Sequence, residues 1–115
     1  MLLPNHEKAI VDIRKLRDYC LNFQSRRGAN KARVFRAALG ITAEDALFLR
    51  EKLLEATRTN PVRIGELDKY GQRYTIDFEV RTEKGKAVVR SGWIVPDVDG
   101  LPRFTTCFVK GRKSQ

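Results

Sequence analysis

Positive charge is where chemistry could begin in this chain. Arg14, Lys15, Arg17, Arg26, Arg27, Lys31, Arg33 and Arg36 share residues 14–36 with a single acid, Asp18, a local net charge of +7. Arg103, Lys110, Arg112 and Lys113 add +4 near the other end, with no acid among them. The whole chain carries +9, so everything else nets −2. Clusters of this kind create a field that concentrates phosphate-bearing partners and speeds their encounter. Lys and Arg are also the side chains that stabilise the charge developing on a phosphorane. Cleavage of RNA that used the substrate's own 2′-hydroxyl as nucleophile would need such cations, with hydroxyls to orient the phosphate, and no metal. The plain alternative is a solvated basic face with no partner.

Other chemistries find little support. One histidine, His6, excludes a pair of catalytic histidines. Asp77 and Glu79 lie two apart on one predicted strand with no evident third ligand, so they read as solvent-facing carboxylates and no metal or cofactor is expected. No P-loop, GxGxxG or zinc spacing is present. Cys20 and Cys107 each sit among apolar neighbours and are read as buried free thiols. Met1 to His6 lacks the basic flank and apolar stretch of a signal peptide, and no apolar run approaches the roughly 18 residues that span a bilayer. A cytoplasmic protein without a membrane partner is the expectation.

The elements that must position these side chains are legible in the hydrophobic period. The 115 residues, 42% of them apolar, suit a single domain, set at 1–110 with a basic tail at 111–115. Leu16, Cys20 and Leu21 mark one face of a helix over 14–21, and Ala9 to Ile13 before it fits an edge strand or the start of that helix. Val34, Phe35, Ala38 and Leu39 stripe a second helix, 31–39, with Asn30 as its cap and Gly40 as its stop. Thr42 to Asp45 has the form of a capping box and opens a third helix that ends before Asn60-Pro61. Beyond Pro61 the period falls to two. A short strand carries Val62, Ile64 and Leu67, a second alternates Tyr74, Ile76, Phe78 and Val80 with polar residues, and Ala87–Val95 and Arg103–Lys110 follow. The predicted class is α+β, about three N-terminal helices packed on a C-terminal antiparallel sheet of about four strands.

On the third strand Arg90 and Gly92 share one face, Ser91 and Trp93 the other. On the fourth, simple alternation groups Arg103, Thr105 and Cys107 against Phe104, Thr106 and Phe108. Trp93 could stack on a base, although a lone Trp in an apolar strand is more often core.

The order and spacing of several segments carry a resemblance over nearly the whole chain. They are Leu3-Pro4-Asn5, Ile13 to Asn22, Gly28 to Phe35, Ala38-Leu39-Gly40, Tyr70 to Tyr74, Arg90 to Val95 and Pro102 to Cys107. Together they resemble a small bacterial family catalogued as domain of unknown function 6883. Its relatives look like the ribonuclease toxin domains that share the fold of barnase, EndoU, the nuclease colicins and RelE. The resemblance implies a toxin acting on RNA, with DNA as the second choice, beside a small cognate antitoxin. It places the family's positions on Gly28, Lys31, Arg90, Ser91, Trp93, Pro102, Arg103, Thr105 and Thr106. Where many relatives have histidines, this chain has Ser25-Arg26 and Asn30. The catalytic residues it implies are Lys31 and Arg90 on the scissile phosphate, Arg103 on the transition state, and Thr106 or Ser91 as the orienting group. Arg26, Arg27, Lys31, Arg33, Trp93 and Lys110 would contact nucleic acid. A non-catalytic nucleic-acid-binding module and a protein-interaction domain with a basic face are the other readings.

Overall fold

The computed structural model describes residues 1–112, so the last three residues of the expected tail lie outside it. Four strands, β1 (Arg63–Asp68), β2 (Gly71–Arg81), β3 (Lys86–Val95) and β4 (Arg103–Arg112), form one antiparallel meander in the order β1-β2-β3-β4. Residues 111 and 112, expected in the tail, belong to β4. The strands follow three helices: α1 (Ile13–Lys15, continued by a π-helical turn, Leu16–Cys20), α2 (Ala29–Leu39) and α3 (Ala46–Thr59). The α+β layout read from the sequence is the one observed. Among the described residues no helix is long and apolar enough to cross a membrane.

Period-two alternation decides which sheet face meets the helices. Ile76, Phe78 and Val80 of β2, Ala87, Val89 and Trp93 of β3, and Phe104, Cys107 and Val109 of β4 pack against Leu16, Cys20, Phe35, Leu39, Leu49 and Leu53. α2 lies against β4 and β3, and α3 against β2. The residues of opposite parity are half-exposed and form the outer face.

The N-terminal segment resolves as neither simple alternative. Ile10 makes a parallel bridge to β4: its N–H donates to the Pro102 carbonyl and its carbonyl accepts from Phe104, both at 2.9 Å, before helix starts at Ile13. This covers the start of an edge strand that would otherwise present bare amides.

The π turn and α2 are locked by a close approach. Leu21 N–H donates to the Leu16 carbonyl at 2.9 Å, and the widened turn presents the Tyr19 carbonyl to Gly28. A Cβ at Gly28 would overlap Tyr19 O, backbone against backbone with no side chain to yield. Gly28 is therefore the residue before the first turn of α2, and Asn30, expected as the cap, lies inside the helix, where it accepts from Arg33 at 3.0 Å. At the far end Gly40 takes the left-handed conformation that closes the helix (φ 69°), as its position in the sequence predicts. Asp45 Oδ2 accepts from Thr42 N–H at 2.9 Å and opens the short 3-10 turn that leads into α3. Gly28→Ala is expected to cost about 3 kcal/mol of stability in a urea melt, the upper part of the range for overpacking, and to move the start of α2. A melt matching that of the parent would contradict the close approach.

Candidate functional site

The two basic segments of the sequence, 14–36 and 103–113, are joined where α2 packs on β4, through Lys31 and Thr106. Lys31, in the first turn of α2, donates from Nζ to Thr106 Oγ1 at 3.1 Å. The same ammonium stands 5.5 Å from the Tyr19 ring centroid and 6.0 Å from that of Phe108, so two aromatic faces and a hydroxyl hold it half-buried. Among the described residues no carboxylate pairs with it.

Thr106 is placed by an irregularity that alternation cannot foresee. Gly92 pairs with Thr106, but the next pair is Trp93 with Phe104, so Thr105 is an extra residue and β4 bulges. The bulge sets Thr105 and Thr106 side by side opposite Gly92. It also lets Phe104 and Cys107 both face the core, although simple alternation puts them on opposite faces. A Cβ on Gly92 would come within 2.8 Å of Thr105 Oγ1 and 3.7 Å of the Thr106 methyl. The missing side chain at Gly92 leaves a small notch lined by the two threonine side chains. Along that row lie Arg63, Thr75, Gly92 and the two threonines; on one side Asp77, Arg90 and Phe108, on the other Arg73, Ile94 and Arg103.

Arg90 and Arg103, the two arginines expected at the site, are committed to carboxylates. Arg90 grips Asp77 through two bonds of 2.9 Å, a fork that holds the Asp77 carboxyl below its usual value. Lys110 Nζ and Arg63 Nη2 approach the same carboxylate at 3.5 and 4.0 Å, so Asp77 gathers cations from β1, β3 and β4. Arg103 is bound to Asp99 at 2.8 and 3.2 Å. Alternation alone makes Asp77 an idle surface carboxylate; its cross-strand partner emerges only from the β2–β3 register.

Ser91 and Trp93, expected at the site, face the core instead. Ser91 Oγ donates to the Ile76 carbonyl and accepts from Trp93 Nε1, both at 2.9 Å, and Trp93 packs edge-on against Phe104 with ring centroids 5.6 Å apart. With exposures of 0% and 1%, neither can touch an external substrate. Their parity with Val89 carried that signal. Lys31 and Thr106 are brought together, Arg90 lies beyond Phe108, and Arg103 borders the notch from the next row. Arg26 and Arg27 are exposed in the loop before α2, and Arg33 is exposed on α2 itself.

Beneath Lys31 sits a thiol whose sequence neighbours are those of plain core. Cys20 Sγ, wholly buried, lies 3.8 Å from Thr106 Oγ1. Hydrogen bonding from the Cys107 thiol and backbone, helped by Thr106 and the Lys31 charge, draws its pKa down to about 6 against the opposing effect of burial. Burial first, and then the neighbouring Cys20, pushes Cys107 the other way. Because the folded value lies below the unfolded 9.0, ionisation of Cys20 favours the folded state; the contribution is full above pH 9 and lost as pH falls through about 6. Thiolate absorbance followed against pH is expected to rise near pH 6 in the parent and to lose that step in Cys20→Ser. A single step near pH 9 would contradict the arrangement. Among the described residues no three His, Cys, Asp or Glu side chains group as metal ligands do.

Comparison with known proteins adds a family and a fold to this geometry. The model of the family described as Domain of unknown function (DUF6883) matches residues 2–111. The chain belongs to that family. Among solved structures, a chain of the contact-dependent growth inhibition toxin–immunity protein complex from Klebsiella pneumoniae 342 resembles this DUF6883 domain with a TM-score of 0.67 and 24% identity, over 88% of this chain and 99% of that one. At that identity the likeness is one of fold. No curated protein sequence matches the DUF6883 chain.

Proposed function

We propose that this domain is the toxin of a toxin–partner pair and that it cleaves RNA at the Gly92 notch without a metal. The observation that carries the reading is Lys31: a half-buried ammonium free of any carboxylate among the described residues, set by Thr106 at the edge of a hydroxyl-lined floor. A phosphodiester seated there would receive charge from Lys31 and hydrogen bonds from Thr105 and Thr106. Arg90, across Phe108, and Arg103, in the next row, would add charge as the phosphorane forms. The ribose 2′-oxygen bonds to phosphorus and its proton passes to solvent, while the P–O5′ bond breaks and the 5′-oxygen takes a proton from solvent. Products are a 2′,3′-cyclic phosphate and a 5′-hydroxyl. The structural relative comes from a complex of a toxin with its immunity protein, which supports a protein partner for this domain; on this reading that partner is a small antitoxin that masks the notch. An RNA target is met in the cytoplasm.

One observation favours the binding-only reading: Arg90 and Arg103 are both held by aspartates, which leaves less charge to stabilise a transition state. Incubation with total RNA, with and without EDTA, separates the two. Fragmentation under both conditions is the expected result, and intact RNA under both would remove the enzymatic part.

A further inference from the structure

A second basic site lies on the opposite flank of α2. Residues Phe23, Arg33, Arg36, Ala37 and Lys84 line an open groove of about 560 Å³, with three cations and no acid. At about 100° per residue, Arg33 and Arg36 stand roughly 200° and 140° around the helix from Lys31, so this surface is separate from the notch. It is also built: the Thr82 hydroxyl donates to the Leu39 carbonyl at 2.7 Å and fastens the β2–β3 hairpin, which carries Lys84, to the end of α2. Phe23 is 39% exposed, with the Arg36 guanidinium 5.7 Å from its ring centroid. Arg33, Arg36 and Lys84 form no salt bridge among the described residues.

We propose that this groove is a second subsite for single-stranded RNA, in which one base joins the Phe23–Arg36 stack and the flanking phosphates meet Arg33 and Lys84. Aromatic and guanidinium planes are what unpaired bases stack on, and unpaired cations are what a phosphate backbone follows. The proposal rests on the nucleic-acid reading above and extends it: the strand held at the notch is gripped again beyond it.

Binding of a labelled 12-nucleotide 2′-O-methyl RNA, which cannot supply a 2′-hydroxyl nucleophile, tests this by anisotropy across a salt series. Phe23→Ala and Phe23→Leu are each expected to weaken binding about tenfold, the effect of losing one stacked base. Arg33→Ala and Lys84→Ala, which remove the phosphate contacts, are expected to lower the salt slope by about 0.7 each. Thermal melts of all four variants confirm that they are folded before affinities are compared. Parent-like binding by the folded variants would overturn the subsite while leaving the notch untouched, whereas a parent protein that binds no RNA would overturn both. A polyglutamate peptide of equal charge serves as the competing occupant. Tighter binding of the peptide than of RNA, lost in Phe23→Ala, would assign the groove to an acidic protein and overturn the proposal.

Discussion

Replacing Lys31 with methionine is expected to leave the melting temperature within about 2 °C of the parent and to lower RNA cleavage by about 10²–10³-fold, the usual loss when one preorganised donor to a developing anion is removed. The lysine reaches the Tyr19 and Phe108 rings with its ammonium, and methionine, of similar length, can set its thioether against the same rings. Its ammonium satisfies only the Thr106 hydroxyl, a bond whose loss costs little in a half-exposed place. What methionine removes is the one cation at the notch that no carboxylate neutralises among the described residues. Arg90→Lys and Arg103→Lys remove bidentate geometry from residues already paired with Asp77 and Asp99, so each should cost less. An equal loss at all three would shift the centre of the site toward the arginines.

Trp93→Ala is expected to lower stability by about 3–5 kcal/mol, enough to unfold a marginal domain of this size, while Trp93→Phe folds and binds RNA as the parent does. The indole fills the space between Phe104 and the helices and donates to Ser91, whose hydroxyl in turn donates to Ile76. Truncation opens a cavity and leaves Ser91 with one partner fewer in a dry interior. Phenylalanine retains most of the volume. Chemical denaturation measures the first effect and anisotropy with RNA the second. A folded Trp93→Phe that had lost RNA affinity would mean that the ring reaches the ligand, against its burial.

The sequence carried most of the architecture because local signals and tertiary demands agree over most of the chain. Phe35, Ala38 and Leu39 stripe α2, Gly40 stops it, and Ile76, Phe78 and Val80 line the inner face of β2, each where its period puts it, whereas Val34, read into the same helix stripe, is exposed and Ala32 takes the buried place. Where contacts came from far away, periodicity was silent. Ile10 is bound by β4, more than ninety residues later, and five residues of local pattern could not disclose that pairing. The start of α2 lies at Gly28 rather than Asn30 because the Tyr19 carbonyl requires a residue without a Cβ.

The site was legible in part for the same reason. Lys31 and Thr106 came from family resemblance, and their meeting depends on the Thr105 bulge, an extra residue that leaves no mark in an alternating strand. Cys20 has the sequence context of an ordinary small core residue, and only the fold gathers Thr106, Cys107 and Lys31 around it. Asp77 needed the β2–β3 register to find Arg90. Charge clustering pointed to the two segments that meet at Lys31 and Thr106 but not to the pairing that neutralises Arg90 and Arg103.

The most direct measurement is a comparison of one labelled oligonucleotide in its ribose and 2′-deoxyribose forms, incubated with the purified protein in EDTA. Cleavage of the ribose form to fragments ending in 2′,3′-cyclic phosphate is predicted, with no cleavage of the deoxyribose form and loss of the activity in Lys31→Met. Cleavage of both forms, or of neither, would contradict a metal-free ribonuclease built on Lys31.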